Sequence, residues 1–108
     1  MRVLFDHGTP RSIARALVNH AVTSAKAMGW DRLSNGDLLN AAETAGFEVL
    51  LTTDKNIRYQ QNLAGRTIAI VVLGNSQLPI VRLHIARVVT AVDAASPGSY
   101  VLVDIPLG

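Results

Sequence analysis

The stretch RTIAIVVL (66–73) runs from Ile68 to Leu73 without a polar residue. It is rich in β-branched side chains and is bounded by glycines, so it reads as a strand. A strand with no polar alternation is buried on both faces. That occurs almost only in a parallel sheet with helices packed on each side. RVLF (2–5), FEVLLTT (47–53) and YVLVDI (100–105) have the same character, and AVTSA (21–25) is a weaker fifth strand.

Between these runs the spacing changes to that of helices. RSIARALVNH (11–20) places Ile13, Ala14, Leu17 and Val18 on one face, with Thr9 as the N-cap and Pro10 at the first helical position. DLLNAAETAG (37–46) repeats Leu38, Leu39, Ala42 and Ala45, and Gly46 is suited to the C-cap. Pro79 opens a long helix over 79–95 with Val81, Ile85, Val88 and Val92 inward, which SPGS (96–99) ends. The segment 26–36 reads as an irregular connection and 55–65 as a short helix or turn. Strand and helix alternate throughout, which predicts one domain over 1–108. Its expected architecture is a three-layer α/β/α fold with a mostly parallel sheet of about five strands.

A chain of 108 residues with 49% hydrophobic content can bury a sizeable core without covalent staples. Cysteine is absent, which excludes disulfides and thiolate metal sites and permits a reducing cytoplasm, the expected location. MRVLFDHGTP does not read as a signal peptide, and no eighteen-residue window is apolar and uncharged, so no membrane association is expected. The net charge of +2 permits a polyanionic partner without demanding one.

In folds of this kind, ligands gather beyond the carboxyl ends of the strands. Asp6 ends the first strand and Asp54 follows the third. On neighbouring strands, about 4.8 Å apart, two such carboxylates can share Mg²⁺ or Mn²⁺, which favour oxygen ligands. Asp37 and Asn56 are further candidate ligands. Thr52 and Thr53 are placed to hold a carboxylate or a ligand water, and His7 to reach a phosphate or such a water. Each has an ordinary alternative. Asp6 and Asp54 suit turns. Ser34 and Asp37 in SNGD also fit a capping box. Glu43 reads as a solvated helix residue, and His20 and His84 as surface or helix-face residues. Trp30 reads as a packing residue. Arg11, Arg15, Lys55 and Arg58 are candidates for holding a nucleic-acid backbone near these acids.

Three short motifs together resemble the small PIN-like proteins described as predicted nucleases of toxin–antitoxin systems. DHGTP matches that family's D-E-N-x-P pattern at Asp6 and Pro10. SNGD places Asp37 where a central S-D motif opens a helix. TTDKNI matches T-x-D-x-D/N-F at Thr52, Asp54 and Asn56. The resemblance spans nearly the whole chain. It implies a PIN-like fold and catalytic acids Asp6, Asp37 and Asp54 around Mg²⁺ or Mn²⁺. It also implies metal-dependent endonucleolytic cleavage of RNA, with Lys55 or an arginine steadying the developing charge. A small antitoxin protein and a homodimer are the partners it implies. His7 stands in place of the family's glutamate, Gly8 in place of its asparagine, and Asn56 in place of a frequent aspartate. A site poorer in acids binds metal more weakly.

The alternative is a catalytically degenerate PIN-like module that binds a protein or RNA. A phosphoacceptor receiver domain is disfavoured, because YVLVDIPLG supplies no lysine after the last strand. A haloacid-dehalogenase phosphatase is disfavoured because DHG lacks the second acid of D-x-D.

Overall fold

The computed structural model describes residues 1–107. Five strands form one sheet: β1 (Arg2–Phe5), β2 (Ala21–Ser24), β3 (Val49–Thr52), β4 (Ala69–Leu73) and β5 (Tyr100–Val103). Their spatial order is β2-β1-β3-β4-β5, and every neighbouring pair is parallel. The helices are α1 (Asn35–Thr44), α2 (Ile57–Gln60), α3 (Leu78–Leu83) and α4 (Ile85–Asp93), with a 3-10 helix at Arg11–Ala16.

The period of two along the strands divides the core into two halves. Val3, Phe5, Val49, Leu51, Val71 and Leu73 pack on one face with the 3-10 helix and with Val81, Val88 and Val92. Leu4, Leu50, Ile70 and Val72 pack on the other with Leu38, Leu39 and Ala42 of α1 and Ile57 of α2. The three-layer arrangement follows, with the sheet between two helical layers. Because α3 and α4 lie on the face opposite α2, the β4–β5 crossover has the opposite hand to the other three. The α1/α2 face of β5 is thereby left thinly covered, and Leu102 there is 52% exposed.

Several local expectations are corrected. The helix expected over 11–20 is a single short 3-10 segment, and Val18 is exposed. Thr9 does not cap it. Its hydroxyl is buried and donates to the Leu51 carbonyl (3.0 Å), tying the loop after β1 to β3. Pro10 is the extended cap residue itself, without a capping side-chain bond. The long helix over 79–95 breaks at His84, whose Nε2 meets the Pro106 carbonyl at 2.9 Å. Glu43 is no solvated residue. Its carboxylate takes Arg66 Nη1 (2.6 Å) and the backbone N–H groups of Thr67 (2.8 Å) and Ile68 (3.3 Å). That network diverts the backbone at 67–68, so β4 starts at Ala69 rather than at 66. Burial pushes the Glu43 carboxyl up, but the donors from Thr67, Arg66 and Ile68 outweigh it and hold it below the ordinary value. His20 is likewise no surface group. Its ring is 6% exposed and its Nε2 lies 2.6 Å from Asp93 Oδ1.

The helix that leads into the candidate site is well terminated at both ends. Ser34 Oγ accepts from the Asp37 backbone N–H (3.4 Å), one half of the expected capping box, and the Asp37 carboxylate does not return a bond to the Ser34 N–H. At the other end Gly46 has φ +86°, with Gly46 N–H on Glu43 O and Phe47 N–H on Ala42 O. That pair of bonds is a Schellman motif, and the positive φ explains the glycine.

Candidate active site

The strand order reverses at β1. The chain first moves outward to β2 and then jumps back across β1 to β3. The crevice at such a switch point, at the carboxyl ends of the strands, is where open parallel sheets bind ligands. Asp6 leaves β1 there and Asp54 leaves β3, on adjacent strands in register from Val3↔Val49 to Phe5↔Leu51.

One buried hydroxyl joins the two residues. Thr52 Oγ1 donates to Asp6 Oδ2 at 2.8 Å and accepts the Asp54 backbone N–H at 3.1 Å. Thr52 is fully buried. A buried hydroxyl with both functions satisfied fixes its partners firmly, because no water competes. The other Asp6 oxygen accepts the His7 N–H at 2.7 Å.

Asp54 is held from two sides. Its Oδ1 accepts the Asn56 N–H (2.9 Å), an Asx turn, and its Oδ2 accepts Asn35 Nδ2 (2.8 Å) from the first residue of α1. Asp54 is therefore both a turn residue and an oriented carboxylate. Each carboxylate oxygen of Asp6 and Asp54 accepts one hydrogen bond and keeps a free lone pair.

The remaining candidates differ in how they relate to this pair. Asp37 is exposed in the first turn of α1, and its backbone serves the Ser34 cap. Among the described residues no three His, Cys, Asp or Glu side chains form a group able to hold a metal. Asn56 contributes its backbone N–H to Asp54. Thr53 is half-buried against Gly8, where an added Cβ would sit 3.3 Å from Thr53 Oγ1. Arg11, Arg15 and Lys55 are all exposed, and Arg11 also lines a cleft beside Asp6. Arg58 turns elsewhere. Its guanidinium stacks on Tyr59 (5.4 Å) and on Tyr100 (5.1 Å), the first residue of β5 at the amino end of the sheet.

Two residues escaped the sequence reasoning. Asn35 was hidden inside a capping motif, and nothing local says that its amide faces the end of β3. Lys26 lay in a connection with no motif, yet it lines the same cleft as Asp6.

Two larger cavities lie elsewhere. One, about 330 Å³, is at the amino ends of the strands between Met1, Phe47 and Pro97, where Glu43 is committed to its own donors. The other, about 470 Å³, is a shallow apolar groove between α4 and β5. Neither joins the switch point. Among the described residues no helix is long and apolar enough to cross a membrane. Comparison with family models, with curated proteins and with solved structures gives no match.

Proposed function

We propose that this chain is a PIN-like ribonuclease dependent on Mg²⁺ or Mn²⁺. The observation that carries the reading is the Thr52 hydroxyl linking Asp6 and Asp54 at the switch point of a parallel sheet. A carboxylate placed by chance at a strand end needs no such buried holder.

The donor set fits the metal. Asp6 and Asp54 offer hard oxygen ligands, and Mg²⁺ is commonly held by one or two carboxylates together with substrate phosphate and water. A third carboxylate is then not required, and Asp37 stays exposed in the first turn of α1. Bound there, Mg²⁺ or Mn²⁺ would supply Lewis-acid activation of water and charge neutralisation at the phosphate. The chain's own residues orient the site. Thr52 and the His7 N–H aim Asp6. Asn35 and the Asn56 N–H aim Asp54. Arg11, Arg15 and Lys55 offer positive charge to the RNA backbone. That the ribonuclease is the toxin of a toxin–antitoxin system, masked by a small antitoxin and acting as a homodimer, follows from the motif resemblance alone.

One observation favours a second reading, a PIN-like module without catalysis: the four oxygens of Asp6 and Asp54 are already partnered within the chain. A labelled RNA panel with Mn²⁺ separates the two. The nuclease cuts RNA with wild type and loses cutting with Asp54→Asn and on chelation. Metal-independent cutting, or cutting equal in the variant, refutes the assignment. Binding without cutting selects the module.

A further inference from the structure

A cleft of about 220 Å³ opens at the ends of β1 and β2, lined by Asp6, His7, Arg11, Ser24 and Lys26 among others. It has room for several waters or one phosphodiester group. It gathers two basic side chains, Arg11 and Lys26, around one carboxylate, Asp6. The ion pairs among the described residues are His20–Asp93, Arg66–Glu43 and Arg87–Asp104. Arg11 and Lys26 belong to none of them, although both share a cleft with Asp6. Two cations against one carboxylate leave a net positive charge, opposite in sign to a phosphodiester.

Lys26 is presented by a well-held turn. Ala25 is buried and its N–H bonds to the Phe5 carbonyl (2.8 Å), continuing the β1–β2 ladder. The Ser24 hydroxyl accepts the Ala27 N–H (3.1 Å), and Gly29, at φ +77°, closes the turn. Arg11 reaches the same cleft from the start of the 3-10 helix. The segments before and after β2 thus each bring an unpaired cation to the cleft that Asp6 lines.

We infer that this cleft seats a backbone phosphate of a bound RNA strand, with Lys26 as its principal cation and Arg11 as the second. The inference rests on the ribonuclease reading for the identity of the strand. It adds a binding residue and a path for the RNA, across the ends of β1 and β2 rather than towards β5.

The test is performed without metal, so that binding is read apart from catalysis. Fluorescence anisotropy of a short labelled single-stranded RNA gives affinity across a salt series. Loss of one phosphate contact lowers the slope of log K against log salt by about 0.7, or about fivefold in affinity near 0.1 M salt. Lys26→Ala is expected to show both changes, and Lys26→Arg to restore most of the affinity. Asp6→Asn is expected to tighten metal-free binding by removing a repulsive charge from the cleft. Arg2→Gln, at the amino ends of the strands, is the control. Inorganic phosphate, followed by amide chemical shifts, should perturb residues 24–27 in wild type and not in Lys26→Ala.

Unchanged affinity and slope in Lys26→Ala overturn the inference, as does an equal loss in Arg2→Gln or no RNA binding by wild type. A response to inorganic phosphate with no effect on RNA binding also overturns it, leaving a site for free anions. The nuclease reading fails separately. Lys26-dependent binding without Mn²⁺-dependent cutting keeps the cleft and removes the enzyme. Cutting without any Lys26 dependence does the reverse.

Discussion

Replacing Thr52 with valine removes one hydroxyl and leaves the side-chain shape almost unchanged. Two hydrogen bonds vanish, from the hydroxyl to Asp6 Oδ2 (2.8 Å) and from the Asp54 N–H to the hydroxyl (3.1 Å). Thr52 is fully buried, so water does not take the place of the lost group. Asp6 is half-buried and recovers part of its loss from solvent. A lost bond to a charged group and a stranded N–H together cost about 2–3 kcal/mol after the gain from an added buried methyl. The unfolding equilibrium then shifts roughly 30- to 150-fold. In urea, with a slope of about 1.5 kcal/mol per molar, the midpoint falls by about 1.3–2 M. Trp30, the sole tryptophan, packs edge-on against Phe47 (centroids 6.1 Å apart) and reports the transition by fluorescence. Thr52→Ser keeps the hydroxyl and loses only a methyl, at about 1 kcal/mol. In the nuclease reading, Thr52→Val also lowers metal affinity or activity by about 10- to 100-fold, as loss of a residue orienting a ligand does. A valine variant within about 0.3 M of the wild-type midpoint, with serine no better than valine, would refute the reasoning. The hydroxyl would then not be the link between the two acids.

Gly8 has φ +92°, so Gly8→Ala should cost about 1–2 kcal/mol from backbone strain, with added crowding against Thr53, measured by the same denaturation. A neutral result would mean that the loop after Asp6 is conformationally free. Glu43 has a folded-state carboxyl pKa below its ordinary value, so its stabilisation is complete above the ordinary carboxylate range and is lost as pH falls through the lowered value. Glu43→Gln should therefore be less stable than wild type at neutral pH and converge with it in acid, read from urea midpoints across a pH series. A constant gap at all pH values would contradict this.

The sheet was legible because its strands carry uninterrupted apolar runs, and such runs have few homes besides a doubly covered parallel sheet. Asp6 and Asp54 were legible for the same reason, since a charge at the end of such a run falls on the open edge. What escaped the reading was set by contacts distant in sequence. The helix expected over 11–20 depended on Thr9 as a cap, but its hydroxyl is used by Leu51. The helix over 79–95 satisfies its apolar period on both sides of His84, and only the Pro106 carbonyl marks the break. Glu43 is an ordinary acid on a helix until the backbone at Thr67 and Ile68 arrives beneath it. Arg58 follows Asp54 closely in sequence, but the ring of Tyr100 draws it away from the edge. Asn35 and Lys26 show the same limit from the other side, because each joins the edge only through the way its helix or turn is hung on the sheet.

The most direct test of the acidic pair is calorimetric titration of Mn²⁺ into the purified protein, wild type against Asp54→Asn, alone and with a non-cleavable RNA. Saturable binding in wild type, tightened by RNA and lost in the variant while its fold stays intact, is the expected result. No saturable binding even with RNA, or equal binding by the variant, would contradict a metal site shared by Asp6 and Asp54.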